Sequence, residues 1–280
     1  MFEASWELGE KERTNIYFRG QEWAKGEKEL ELRPTVGRLA QFTGKSAGFD
    51  IQTERNILHR FCRWAYLESN RMVGVWEGLF LARHHGLPIR LLDWTASPLI
   101  ALYFAASCEK VQGDGAVWAI VRRPRSPVLD VLHEESEPSL KNKNIYYQRK
   151  KDLPSNVRNK LGNLKFDDLQ SPLRLRGIRI LYPFYASPRM IAQNCFFTIQ
   201  DNPWMPLEKY DPTSQNQPID VRRIVRWRVP KDARWKIIDQ LESICIANRT
   251  LFPDLDGLAK GLWHLDVVRQ NSAISRPGRL

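Results

Sequence analysis

Two apolar periods run through the chain, separated by polar punctuation. Residues 14–21, TNIYFRGQ, mix aromatic and β-branched side chains and reach Gly20, which predicts a strand. From Ile51 to Leu81 the positions Ile57, Leu58, Phe61, Trp64, Ala65 and Leu67 recur at three-to-four spacing, the signature of a helix. A gap near Ser69-Asn70 divides it into two. Gly86 and Pro88 mark a turn, and Ile89 to Leu92 read as a short extended piece. Ser97 followed by Pro98 starts another helix, running to about Cys108. That helix is apolar on every side and is expected to be buried. The polar stretch 84–97 before it is expected to form a loop facing a cavity.

Further along, GAVWAIVRR at 115–123 predicts a strand bounded by Gly113-Asp114-Gly115. Residues 124–165 are polar, basic and Pro-containing, an insertion or partly ordered lobe. IRILYPFY at 178–185 and CFFTIQ at 195–200 predict strands, with a short Ser-Pro-initiated helix at 187–193 between them. RIVRWRV alternates like a half-buried strand, PKDARWKIIDQLESI reads as a helix, and TLFPDLDGLAKGLWHL as a turn and a last helix. Strands and helices without regular alternation predict an α+β class: a split mixed sheet with flanking helices.

Composition bounds the rest. A chain of 280 residues, 42% hydrophobic, fits a single domain over 1–280 with a sizeable core. The longest apolar run, Pro98 to Ala106, is about half of what a membrane span needs, so no membrane role is expected. The N-terminal stretch lacks a signal region, and Cys62, Cys108, Cys195 and Cys245 show no paired spacing. A reducing, cytoplasmic setting with no disulfide frame and no metal is the expectation. Ten tryptophans fit core anchoring or base stacking. The net charge of +11 is concentrated: eight basic residues against Asp152 in 141–165, and seven against Asp232 in 222–236. Such patches suit a nucleic-acid partner, or else a generally basic solvated surface.

The chain has no G-x-G-x-x-G and no H-E-x-x-H, and Gly44-Lys45-Ser46 lacks the P-loop glycine. Gly44 to Gly48 spell G-x-S-x-G without a good strand before them. The stretch with His85, Arg90 and Asp93 beside the Ser97 helix start is the better candidate, because a helix N-terminus favours phosphate or carboxylate. Arg90 and Asp93 could equally form a buried ion pair. His85 with Asp93 would also serve a nuclease or hydrolase.

YFRGQ at 17–21, HHGLPIRLLDWTASPLIALYFA at 84–105, PRMIAQNCFF at 188–197 and TLFPDLDGLA at 250–259 resemble the FRG domain family, named for the tripeptide found here as Phe18-Arg19-Gly20. Two positions depart from the family pattern: Ile89 where threonine is usual, and Asn194-Cys195 where a glycine is often found. More distantly, a strand ending in Tyr-Phe-Arg-Gly is similar to the first motif of ADP-ribosyltransferases of the Arg-Ser-Glu type, and DWTAS resembles their second. The resemblance implies an ADP-ribosyltransferase-like cleft with NAD as substrate, and a toxin or phage-defence role with a nucleic-acid or protein acceptor. A neutralising protein partner would fit such a role. By the same resemblance Arg19, His85, Asp93 and Gln193 would be catalytic. Tyr17, Arg19, Gly20, Gln21, Arg90, Trp94, Thr95 and Ser97 would bind the cofactor. Gln193 stands at the place of the family's catalytic glutamate, which has no clean match. The alternative is a non-catalytic module that binds nucleic acid or nucleotide.

Overall fold

A computed structural model describes residues 15–22, 31–38, 51–69, 75–107, 113–123, 173, 175–182, 187–211 and 219–263. The expected basic lobe at 124–165, the patch at 141–165, the segment 44–48 and Cys108 lie outside the described residues.

Six strands, β1 (Ile16–Gln21), β2 (Leu91–Thr95), β3 (Gly115–Arg122), β4 (Ile178–Leu181), β5 (Cys195–Gln200) and β6 (Val221–Val229), form one sheet in the order β4-β5-β2-β1-β3-β6. Every ladder is antiparallel. The expected mixed sheet is therefore corrected to an antiparallel one, curled so that its edges meet. Ile178 at one edge bridges Ile219, just before the strand at the other. The Asp220 carboxylate fastens this closure, accepting from the Ile180 N–H at 2.9 Å and from Arg179 Nε at 3.1 Å. All six strands send side chains inside the curl, among them Tyr17, Trp94, Trp118, Ile180, Phe196 and Val221.

Helices cover the outer face in two groups. Helices α1 (Ile51–Ser69) and α2 (Val75–His84) pack with Leu91, Leu181, Phe197 and Ile199 on the β2-β5-β4 side. On the β1-β3 side, helix α3 (Pro98–Ala106) lies between the sheet and helices α5 (Arg234–Ser243) and α6 (Asn248–Leu251). Sandwiched in this way, α3 has no polar face, which explains its all-round apolar sequence. Ser97 caps it, its Oγ accepting from the Ile100 N–H at 3.3 Å. Helix α4 (Pro188–Ala192) precedes β5, and helix α7 (Leu255–Trp263) ends the described chain.

Gly20 has a steric reason. A Cβ there would collide with the carbonyl oxygen of Ala101 and stand 2.7 Å from the Ala105 nitrogen, so only glycine lets α3 lie this close to β1. The turn from α4 into β5 needs a positive φ, and Asn194 supplies it at 47°. Asparagine tolerates that region better than most residues, so the departure from glycine keeps the turn.

Candidate functional site

The two helix groups part over the join between β1 and β2. That join is a single register pair, Phe18 with Thr95, after which the strands diverge. A cleft of about 380 Å³ opens there. Its floor comes from β1, β2 and β5, and its walls from the end of α2, from Phe104 of α3, from α4 and from Phe252.

Arg19 reaches across the join. Its Nη1 donates to the Asp93 backbone carbonyl at 2.8 Å, an acceptor for which the diverging β1 offers no backbone N–H, and to Asp93 Oδ2 at 3.5 Å. Asp93 itself projects from the middle of β2 between the core residues Leu92 and Trp94. Arg83, in the last turn of α2, grips that carboxylate through Nε, at 2.9 Å and 3.0 Å to its two oxygens, and through Nη2. The remaining Arg83 nitrogen, Nη1, donates to Thr35 Oγ1 at 3.0 Å. Each of the three Arg83 guanidinium nitrogens thus has a protein partner, whereas not all of those of Arg19 do. Arg19 Nε is buried with no partner, and among the described residues Nη2 makes no hydrogen bond. The Nε–Nη2 edge, the edge that forks onto a carboxylate or phosphate, is unused.

Charges in the cleft follow from this arrangement. Burial pulls the Arg19 guanidinium down to about 10, against the support of Asp93, and it stays cationic at neutral pH. Burial alone would raise the Asp93 carboxyl, but Arg83 and then Arg19 hold it below the usual carboxylate range. His84 is held below the ordinary imidazole value by burial, then by His85 and Arg189, and is neutral at pH 7. Its Nδ1 lies 3.3 Å from Ser187 Oγ. Burial pushes the Cys195 thiol to about 12, so it is protonated and inert.

The expected site residues separate into two sets. Arg19, Gly20, Asp93, Trp94, Thr95 and Gln193 line the cleft together. Gln193 caps the end of α4 and is partly committed, its Nε2 donating to the Leu251 carbonyl at 3.0 Å. The others are placed elsewhere. Arg90 is sealed in the core, with its side chain 1% exposed, and pairs with Glu54 of α1 rather than with Asp93 or a ligand. Trp94 belongs to the cleft lining, but its indole is buried inside the curl and donates to Thr198 Oγ1 at 2.9 Å, so its ring is not presented for stacking. Tyr17 packs on Phe196 at 4.4 Å inside the curl. The Gln21 side chain accepts from Trp118 Nε1 at 2.6 Å. Ser97 is occupied as a helix cap. His85 is exposed, and the histidine lining the cleft is His84. Of the stretch 84–97 expected as a polar loop, Leu91–Thr95 form the strand β2, which overlaps the extended piece expected over 89–92.

Sequence reasoning missed Arg83, His84, Arg189, Phe104 and Phe252. A signal was available for Arg83: a cation in the last turn of a helix, just upstream of an acid flanked by apolar residues. Among the described residues no group of His, Cys, Asp and Glu is placed to hold a metal, and no helix is long and apolar enough to cross a membrane.

The family model of the FRG domain matches residues 14–114. That span holds Arg19, Arg83, His84, Asp93 and Phe104, whereas α4 and Phe252 lie beyond it. No curated protein and no solved structure matches the chain.

Proposed function

We propose that this FRG-domain chain binds NAD in the cleft over the β1–β2 join, gripping its phosphates with Arg19, and transfers ADP-ribose from it. One observation carries the reading: the unused Nε–Nη2 edge of a buried, charged Arg19 in the cleft lining. A buried donor without a partner costs about 1–3 kcal/mol, and more when it is charged. A phosphate oxygen pair supplies both missing acceptors and the missing charge. Phe104 and Phe252, edge to face with centroids 6.0 Å apart, give the same cleft an aromatic wall for a planar ring.

In this reading Arg83 and Asp93 act as positioning residues that fix the Arg19 guanidinium. Gln193, with Nε2 committed to Leu251 and Oε1 accepting a weak bond from the Cys195 thiol at 3.8 Å, offers the remaining Oε1 lone pair to a ribose hydroxyl. Breaking the bond between nicotinamide and ribose passes through an oxocarbenium-like state, for which an anchored pyrophosphate supplies orientation. The exposed Arg222, Arg223, Arg226 and Arg228 of β6 support a nucleic acid as the acceptor.

A second reading, nucleotide binding without turnover, is favoured by a different observation. Asp93 is the one carboxylate among the described lining residues, and two guanidiniums already hold it. Incubating purified protein with radiolabelled NAD separates the two. Nicotinamide release that Arg19→Lys abolishes supports transfer, since lysine keeps the charge and loses the fork. Saturable binding without release supports the second reading. If wild type neither binds NAD nor releases nicotinamide, both fall.

A further inference from the structure

We propose that Arg189 is a second anion arm of this cleft, that Asp254 holds its place in the free protein, and that the ligand displacing Asp254 carries two linked phosphates. This rests on the reading of the cleft as a nucleotide site. Arg189 lines the cleft from α4, and its Nε and Nη2 both point to one oxygen, Asp254 Oδ2, at 2.9 Å and 2.7 Å. This is the same guanidinium edge that Arg19 leaves empty. In Arg189 it is filled, but by an internal carboxylate.

That carboxylate is easily exchanged. Its side chain is 42% exposed, and an exposed ion pair contributes little to stability. Asp254 also has a second attachment. Its Oδ1 accepts from the Gly257 N–H at 2.8 Å at the start of α7, so releasing Arg189 leaves the helix start intact. The arm has its own platform as well. The Arg189 guanidinium lies 4.9 Å from the Phe252 ring centroid, and the Gln193–Leu251 hydrogen bond ties the α4 segment to α6. With Asp254 gone, the guanidinium still rests on the aromatic wall. A single phosphate satisfies Arg19 alone. A second phosphate linked to the first reaches a second guanidinium and competes with a lone carboxylate by its greater charge and its fork-matching oxygens.

Calorimetric titrations with AMP and ADP at fixed ionic strength test this in wild type, Arg189→Ala, Asp254→Asn and Arg19→Ala. Wild type is expected to prefer ADP over AMP by about tenfold, one charge-assisted pair's worth. Arg189→Ala should erase that preference while leaving AMP affinity within about twofold. Asp254→Asn keeps an oxygen for Gly257 and should raise ADP affinity several-fold, with a much smaller gain for AMP. Thermal melting checks that each variant is folded. Equal losses for AMP and ADP in Arg189→Ala, or no change in either, overturn the proposal while Arg19→Ala still abolishes binding. If Arg19→Ala changes nothing, the nucleotide site itself falls, and this proposal with it.

Discussion

Arg90 and Asp93 sit three residues apart in one stretch of chain, and the fold treats their charges in opposite ways. Arg90 is enclosed with Glu54, both side chains 1% exposed. Its Nε meets both carboxylate oxygens, at 3.1 Å and 3.0 Å, and its Nη2 meets Oε2 at 2.5 Å. Nη1 reaches the carbonyls of Leu173 and Asp201, each at 3.3 Å, and of Gln200 at 3.5 Å. Asp93 faces the cleft on a strand where the sheet is barely joined, about a third exposed, and the cluster around it leaves Arg19 with two unused donors. The enclosed Arg90 charge has an acceptor at each of its three nitrogens. The Arg19 charge at the cleft is held in place by its neighbours and left short of acceptors.

The largest expected effect is on the sealed pair. Glu54→Ala strands the Arg90 guanidinium in the core and should cost about 3–5 kcal/mol in chemical denaturation. A loss no larger than a surface substitution gives would erase the distinction between the two sites. Replacing both members, with Arg90→Met and Glu54→Leu together, removes the buried charge altogether. The carbonyls of Leu173, Gln200 and Asp201 then lose their donor, and the double variant should remain about 1–2 kcal/mol below wild type.

Asp93→Asn strikes the other site. Because Asp93 is partly exposed, the expected loss of stability is only about 1–2 kcal/mol, whereas nucleotide affinity should fall further as Arg19 loses its brace. The pH dependence sharpens this. Asp93 titrates lower in the folded chain than the ordinary 3.8. Its contribution is therefore fully present above that value and drains away as pH falls through the lower folded value. Melting curves of wild type and Asp93→Asn should converge below about pH 4 and stay apart above it. The smallest effect belongs to Thr35→Val. It removes one hydrogen bond from Arg83 and should cost about 1 kcal/mol or less, with a modest loss of ligand affinity. A larger loss of affinity than Asp93→Asn causes would move the brace from Asp93 to Thr35.

Much of the fold was legible because its elements are one-sided or wholly buried. β5 runs over Cys195–Gln200, as its continuous apolar run predicts, and α3 starts at the Ser-Pro signal. β2 was only partly legible. Asp93 and Thr95 line the cleft and break the apolar pattern of a five-residue strand, so only Leu91 and Leu92 fall within the extended piece read from the sequence. IRILYPFY is the reverse case. Its strand is expected over 178–185 and is found over Ile178–Leu181. Of the two adjacent histidines, the choice of His84 over His85 is set by where α2 stops, which periodicity does not resolve to one residue.

The sequence alone was enough to set the α+β class, the order of elements and the resemblance to the FRG domain family. Those depend on local propensity, on apolar period and on short sequence motifs. The tertiary structure decided which cations share an acid. Arg83 and Asp93 meet because α2 packs with β2, Arg90 finds Glu54 because α1 packs in one cluster with Ile89 and Leu91 on either side of it, and Arg189 meets Asp254 across sixty-odd residues of chain. Charge pairing is set by distance in space and by burial, and neither is written in the spacing of residues along the chain.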